Sequence, residues 1–233
     1  SHELRTPLNS ILGFSESLQE GIFGEISEKQ RKPISTIERS GEHLLSLIND
    51  ILDLSKIEAG KLDLDKDSIS LISLCESSLS FIRQQAFKKQ IKVQFTPPTL
   101  IADFFADERR LRQMLINLLN NAVKFTPNGG AVSLEVSLDC FLDQPILNFM
   151  IKDTGIGIAK EDLPKLFQSF VQIDSRLARR YEGTGLGLAL VERLTKLHGG
   201  RVSVESKIGE GSCFAVHLPY FPVNALKSDS TIS

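Results

Sequence analysis

Asn117-Leu118-Leu119-Asn120-Asn121-Ala122-Val123-Lys124-Phe125-Thr126 reads as an amphipathic helix whose polar face carries carboxamides and a lysine. Asp153-Thr154-Gly155-Ile156-Gly157 and Gly183-Thr184-Gly185-Leu186-Gly187 follow it, in that order, on one domain-sized segment. Carboxamides ligate a hard cation, a lone carboxylate accepts from an exocyclic amine, and bare glycine backbone lets a chain approach phosphates closely. Together the three stretches describe a nucleotide pocket on an α/β domain.

Asn117 and Asn121 are four residues apart, hence on one helix face, and Lys124 follows on nearly the same face. All three can converge on one ligand, magnesium beside a triphosphate being the group that suits them, while the asparagine pair taken alone reads equally as a chance polar face. Asn120 points elsewhere. Asp153 ends the strand-like run Phe149 to Lys152, and Gly155 and Gly157 turn the chain after it. Taken alone, that segment reads first as a carboxylate capping a glycine turn. Gly183, Gly185 and Gly187 open a helix beginning near Leu186, where backbone donors and the helix dipole favour phosphate. The residues before them, Ser175 to Glu182, are no buried strand, which disfavours a dinucleotide fold, and no Gly-x4-Gly-Lys-Ser/Thr loop is present. The polar stretch Gln172 to Glu182 reads as a mobile lid in which Arg179 or Arg180 meets phosphate or stays a solvated charge, with Phe167 and Phe170 fixing its base by burial in preference to stacking on a base.

Around this core, strands are expected near Ile91 to Phe95, Ala131 to Leu138, Ile146 to Ile151, Arg201 to Glu205 and Ser212 to Leu218. Lys61 to Asp67 reads as a charged linker or an edge strand, and helices are expected over Ser68 to Lys89, Arg109 to Lys124 and Leu186 to His198, the last stopped by His198-Gly199-Gly200. The final two strands form a hairpin around Gly209 and Gly211. Upstream, Leu4, Leu8, Ile11, Ser15 and Leu18 step by fours and threes, and after a break at Gly21 to Gly24 a second run follows through Ile34, Ile37, Gly41, Leu44, Ile48, Ile51 and Ser55. Two such helices read as a hairpin that dimerises into a four-helix bundle; packing on the second domain alone is the other solution.

The chain has 233 residues with 41% hydrophobic and 24% charged, ordinary for a globular protein of one domain plus a smaller partner. A net charge of -2 gives no electrostatic footprint for a polyanion, so nucleic acid is not expected. No apolar run reaches the roughly 18 residues of a membrane span, so no membrane contact is expected from this stretch. Cys75, Cys140 and Cys213 lack paired spacing and are read as reduced core cysteines. His43, His198 and His217 have no clustered partner and are read as structural.

The chain opens with Ser1-His2-Glu3-Leu4-Arg5-Thr6-Pro7-Leu8. Helical spacing puts His2 and Thr6 opposite the apolar seam, so His2 is expected to face solvent. A neutral imidazole is a competent nucleophile near neutral pH. Glu3 either orients the ring, takes its proton, or simply supplies favourable charge in a first helical turn.

Taken together, these motifs resemble the sensor histidine kinases of two-component systems over nearly the whole chain, Ser1 to about Pro219. Residues 2–8 look like that family's H box, 117–126 its N box, 153–158 its first glycine box, 167–170 its F box and 183–188 its second glycine box. The resemblance implies an α+β architecture. Residues 1–60 would be a dimerisation and phosphotransfer hairpin, 61–66 a linker that lets the second domain swing, 67–221 an α/β sandwich ATP-binding kinase domain with a mixed sheet, and 222–233 a polar tail. It implies an autophosphorylating protein histidine kinase using ATP and Mg²⁺, with His2 the phosphoacceptor and Glu3 assisting proton removal. Asn117 and Asn121 would hold the metal, Lys124 would contact phosphate, Asp153 would read adenine, and the backbone of Gly155, Gly157, Gly183, Thr184, Gly185, Leu186 and Gly187 would line the nucleotide. Thr6 would position water when the same protein dephosphorylates its partner, the receiver domain of a response regulator. A cytoplasmic location follows for this piece, with anchoring of the parent left open.

Two rivals stand beside it: an ATPase of the gyrase, chaperone or mismatch-repair type, and a signalling scaffold that transfers nothing. Only Ser1 precedes His2 and no methionine opens the chain, so a fragment is expected. On that expectation the first turn frays, and self-phosphorylation is slow until an upstream helix is restored.

Overall fold

The computed structural model describes residues 2–98, 103–141, 144–172 and 184–221. Two compact units divide the chain, Ser1–Lys61 and Leu62–Ser233.

The first unit is a helical hairpin of α1 (His2–Gln19) and α2 (Glu28–Glu58). Ser27 precedes α2, and its backbone N–H donates to the Gln30 Oε1 at 2.9 Å, satisfying a donor that the helix start leaves open. At the other end Gly60 takes φ +63, and the backbone N–H groups of Gly60 and Lys61 return to the carbonyls of Ile57 and Lys56 at 3.0 and 2.9 Å. That is a Schellman stop, and a glycine supplies its left-handed residue without strain. The two helices approach closely at Gly41, where a Cβ would lie 2.8 Å from Leu12 Cδ2. Arg5 ties the pair near the histidine end, Nε and one terminal nitrogen both donating to Asn49 Oδ1 at 3.1 and 2.7 Å. Gln19 bonds Glu38 near the opposite end. Leu8, Ser15, Gly41 and Leu54 are buried, whereas Leu4, Ile11, Phe14, Ile37, Leu44 and Ile51 stay exposed.

The second unit begins with β1 (Asp67–Ile69), then α3 (Leu71–Lys88), β2 (Lys92–Thr96), β3 (Phe104–Ala106) and α4 (Glu108–Phe125). β4 (Ala131–Phe141), β5 (Gln144–Asp153), α5 (Gly187–Leu197), β6 (Arg201–Lys207) and β7 (Gly211–Pro219) complete it. Five strands form one sheet in the order β2-β4-β5-β7-β6, the β2–β4 pair parallel and the others antiparallel. The mixed sheet and its helices are as the sequence predicts. Alternation explains the single covered face: Val132, Leu134 and Val136 on β4, Leu147, Phe149 and Ile151 on β5, and Phe214, Val216 and Leu218 on β7 are buried. Helices α3, α4 and α5 contribute Leu74, Ile82, Leu111, Leu118, Leu119, Leu190 and Leu194 to the same core.

Several expectations need correction. Ser68 belongs to β1, not to the helix that follows, because β1 pairs antiparallel with β3 in a separate two-stranded sheet, Ser68 opposite Phe105. Ser70 is the N-cap of α3 instead. The segment expected to be a linker is not free for its whole length: Leu62 is buried, and the Asp65 N–H donates to Asp107 Oδ2 at 3.1 Å. Only Cys75 is a core cysteine; Cys140 is exposed and Cys213 half-buried. His217 has partners, its Nδ1 lying 2.6 Å from Asn148 Oδ1 and its Nε2 2.8 Å from Ser203 Oγ. Among the described residues no helix is long and apolar enough to cross a membrane.

Candidate functional site

The N-box residues lie on α4, held at both ends. At its start Asp107 caps the helix, Oδ1 accepting from the Arg110 N–H at 3.0 Å. At its end the last carbonyls point at donors: Lys89 Nζ donates to Val123 O and Lys124 O at 2.7 and 2.9 Å, and the Ile156 N–H to Phe125 O at 3.3 Å. A cation there also complements the helix dipole. Asn117, Asn121 and Lys124 are half-buried while Asn120 is exposed. Lys124 Nζ sits 5.0 Å from the centre of the Phe125 ring.

Asp153 closes β5. Its Oδ1 accepts from the Gly155 N–H at 2.8 Å, and Ser212 supplies a second backbone donor. Burial raises the carboxyl above its ordinary value, and the two backbone donors pull it part of the way back. A carboxylate in that setting gains from a further neutral N–H donor. Space for such a donor depends on Gly155, where a Cβ would lie 2.5 Å from Asp153 Oδ1 and 2.9 Å from Phe125 O. Gly157 has φ +69, and a Cβ there would fall 1.9 Å from Lys207 O, so the turn packs directly on the β6–β7 hairpin.

The second glycine box reaches α4 where Asn117 Nδ2 lies 3.5 Å from the Gly187 carbonyl. Thr184 Oγ1 accepts from the Leu186 N–H at 3.1 Å, and Leu186 is fully buried. α5 starts at Gly187, with Leu186 its N-cap. Phe170 ties the F box to this loop, its N–H donating to Gly185 O at 3.0 Å. Burial of both phenylalanines was the expectation, yet Phe170 is 68% exposed with φ +63, so it is held through its backbone and only Phe167 is half-buried. Gly183, Arg179, Arg180 and the expected lid beyond Gln172 lie outside the described residues.

Thus α4, the Asp153–Ile158 turn and residues 184–187 meet in the second unit. In the first unit His2 opens α1, while the solvent-facing orientation expected of its side chain lies outside the described residues. Glu3 and Thr6 are exposed, and Ser10 Oγ donates to Thr6 O at 3.1 Å. The motifs gave no signal for three residues that hold these elements in place: Lys89 at the end of α4, Asp107 at its start, and Ser206, whose Oγ accepts from the Ile158 N–H at 2.8 Å. Their roles depend on partners 34 or more residues away, or on a helix cap that spacing alone does not single out.

Residues 106–222 match the family model described as histidine kinase-, DNA gyrase B- and HSP90-like ATPase. The chain belongs to that family. Within this ATPase family its neighbours are the sensor histidine kinases of two-component systems, because residues 1–60 match the His Kinase A phospho-acceptor domain. The circadian input-output histidine kinase CikA of Synechococcus elongatus is 48% identical over 221 residues, spanning 94% of this chain and 29% of that protein. Histidine protein kinase DivJ of Caulobacter vibrioides is 38% identical, spanning 94% of this chain and 36% of that protein. The chain therefore spans less than half the length of these ATPase-family relatives. Among solved structures, full-length ShkA in complex with AMPPNP superposes with a TM-score of 0.78 at 33% identity, covering 95% of this chain and 45% of ShkA. The histidine kinase AdeS of Acinetobacter baumannii superposes at 0.62 with 26% identity, covering 94% and 98%.

Proposed function

We propose that this chain is the catalytic core of an ATP-dependent protein histidine kinase that phosphorylates His2 and passes the phosphoryl group to an aspartate of a response regulator. The observation that carries the reading is the attachment of both the Asp153 turn and the Gly187 end of the second glycine loop to α4, with a half-buried carboxylate held by the Gly155 and Ser212 backbone. Asp153 accepts a hydrogen bond from the adenine amino group, which suits a carboxylate already supplied with backbone donors. The opening of α5, Thr184 to Gly187 together with Gly183, offers backbone N–H groups to the phosphates. Lys124 adds positive charge beside them. Carboxamide oxygens of Asn117 and Asn121 fit Mg²⁺, which takes few protein ligands, and the bound ion supplies neutralisation of phosphate charge.

In the transfer an imidazole nitrogen of His2 attacks the γ-phosphorus, the P–N bond forming as the bond to the β-phosphate oxygen breaks and ADP leaves. Glu3 receives the proton that the ring gives up. A receiver aspartate then takes the phosphoryl group from His2, and Thr6 positions water for the reverse, phosphatase role. The exposed residues Leu4 and Ile11 on α1, and Ile37, Leu44 and Ile51 on α2, recur every seven residues. That stripe is the face on which two copies form a four-helix bundle.

Incubation with γ-labelled ATP and Mg²⁺ tests the reading. Label on the chain should be acid-labile and base-stable, absent from His2→Gln although that variant still binds nucleotide, and absent together with Mg²⁺-dependent binding from Asn121→Ala. Saturable nucleotide binding without label, in a chain extended upstream by about two helical turns, would refute the kinase reading.

A further inference from the structure

The Asp153–Ile158 turn is held on one side by α4 and β4, through Ile156 N–H to Phe125 O at 3.3 Å and Thr154 N–H to Ala131 O at 3.0 Å. Its other side rests on the tip of the β6–β7 hairpin, and there one side chain bonds both the turn and the returning strand of the hairpin. Ser206 Oγ accepts from the Ile158 N–H at 2.8 Å and lies 2.9 Å from both Gly211 O and Ser212 Oγ. Ser206 stands opposite Ser212 in the β6–β7 register, and Ser212 opposite Asp153 in the β7–β5 register. The row ends at the carboxylate, where the Ser212 backbone is one of the two donors. Nearby, the Gly209 N–H donates to Ile156 O at 2.8 Å, and a Cβ on Gly211 would fall 2.0 Å from Asp153 O. Backbone therefore abuts backbone on this side, and the hydroxyl of Ser206 sets how the two loops register.

We propose that Ser206 is the positioning residue for base selection: through Ile158 and Ser212 it fixes both ends of the turn that presents Asp153, although it stands one contact away from the carboxylate. This rests on the reading of the pocket as an ATP site. A hydroxyl is needed because it accepts from Ile158 and donates onward at the same time. Alanine leaves the Ile158 N–H and the Gly211 carbonyl without that partner, whereas threonine keeps the oxygen on a side chain that suits a strand.

The test measures equilibrium binding of adenylyl and guanylyl imidodiphosphate, each with Mg²⁺, to the full chain. Ser206→Ala and Ser206→Cys should each weaken adenylyl binding about tenfold, leave guanylyl binding unchanged, and so shrink the discrimination by the same factor. Ser206→Thr should return it to within about twofold of the parent. An unchanged ratio, or an equal loss for both nucleotides, overturns the proposal. Amide exchange in the parent gives a check that needs no variant: an Ile158 N–H exchanging as fast as an exposed loop amide overturns it too. Failure of the ATP reading looks different, since then the parent itself binds neither nucleotide.

Discussion

Gly157→Ala places a methyl group where the backbone of the neighbouring hairpin already is. The new Cβ would sit 1.9 Å from Lys207 O, 2.5 Å from Lys207 C and 2.9 Å from Ile208 Cα, and none of these atoms can swing aside as a side chain would. Gly129 is the matched control, with φ +81 and nothing within 4 Å of its virtual Cβ. Gly129→Ala should therefore cost only the left-handed backbone term, about 1–2 kcal/mol. Gly157→Ala should cost the same and also displace the turn. That displacement breaks the bonds of Gly209 N–H to Ile156 O and Ile158 N–H to Ser206 Oγ, both 2.8 Å, which adds about 1 kcal/mol for each bond. The total comes to roughly 3–4 kcal/mol. Urea unfolding followed by near-ultraviolet circular dichroism, to which Tyr220 contributes from its packing against Phe104, reads the difference. Nucleotide binding should be lost in Gly157→Ala and kept in Gly129→Ala. A Gly157→Ala midpoint equal to that of Gly129→Ala would refute the close-packing argument.

Two further outcomes follow from other sites. Burial, and then the charge of Asp53, push the Asp50 carboxyl up to about 6. From the ordinary carboxylate value up to that point the folded hairpin keeps a proton that the unfolded chain has released, so stability falls as pH rises through the window. Asp50→Asn should flatten this slope and stabilise the hairpin at pH 7 by about 1 kcal/mol once solvent screening is allowed for; parallel denaturation curves for both proteins from pH 4 to 7 would contradict it. Lys89→Met strips two carbonyls at the end of α4 of their donor. It should lower the urea midpoint by an amount equal to about 1–2 kcal/mol, and Lys89→Arg should recover part of that; an unchanged midpoint in Lys89→Met would show that the ammonium contributes nothing.

Regular elements were legible in the sequence because their periods differ. The alternation in Ala131 to Leu138 and Ile146 to Ile151 announced β4 and β5, and the glycines after His198 marked the end of α5. Strand β3 was not legible, and β1 only as the edge-strand alternative for Lys61 to Asp67, since three residues carry too little pattern and each strand depends on the other, 35 or more residues away, for its pairing. Phe170 was misread for a related reason: hydrophobicity predicts burial, but here the backbone N–H makes the tie to Gly185 and the ring is left outside. Spacing brought Asn117, Asn121 and Lys124 to one face of α4; Gly187 lies against Asn117, and the turn after Asp153 bonds the end of the same helix at Phe125. What sequence did not convey was the support beneath, in which Ser206 and Lys89 act through distant backbone groups.

The small sheet at the edge of the second unit also has a topological effect. On one side β3 pairs with β1, the first strand of the unit, and on the other its Phe105 N–H donates to Phe221 O at 3.1 Å, while Phe104 stacks on Tyr220. Entry and exit of the ATPase fold thus flank a single strand. Such a module can be spliced into a longer polypeptide, or cut and rejoined at new ends, without stretching any connection.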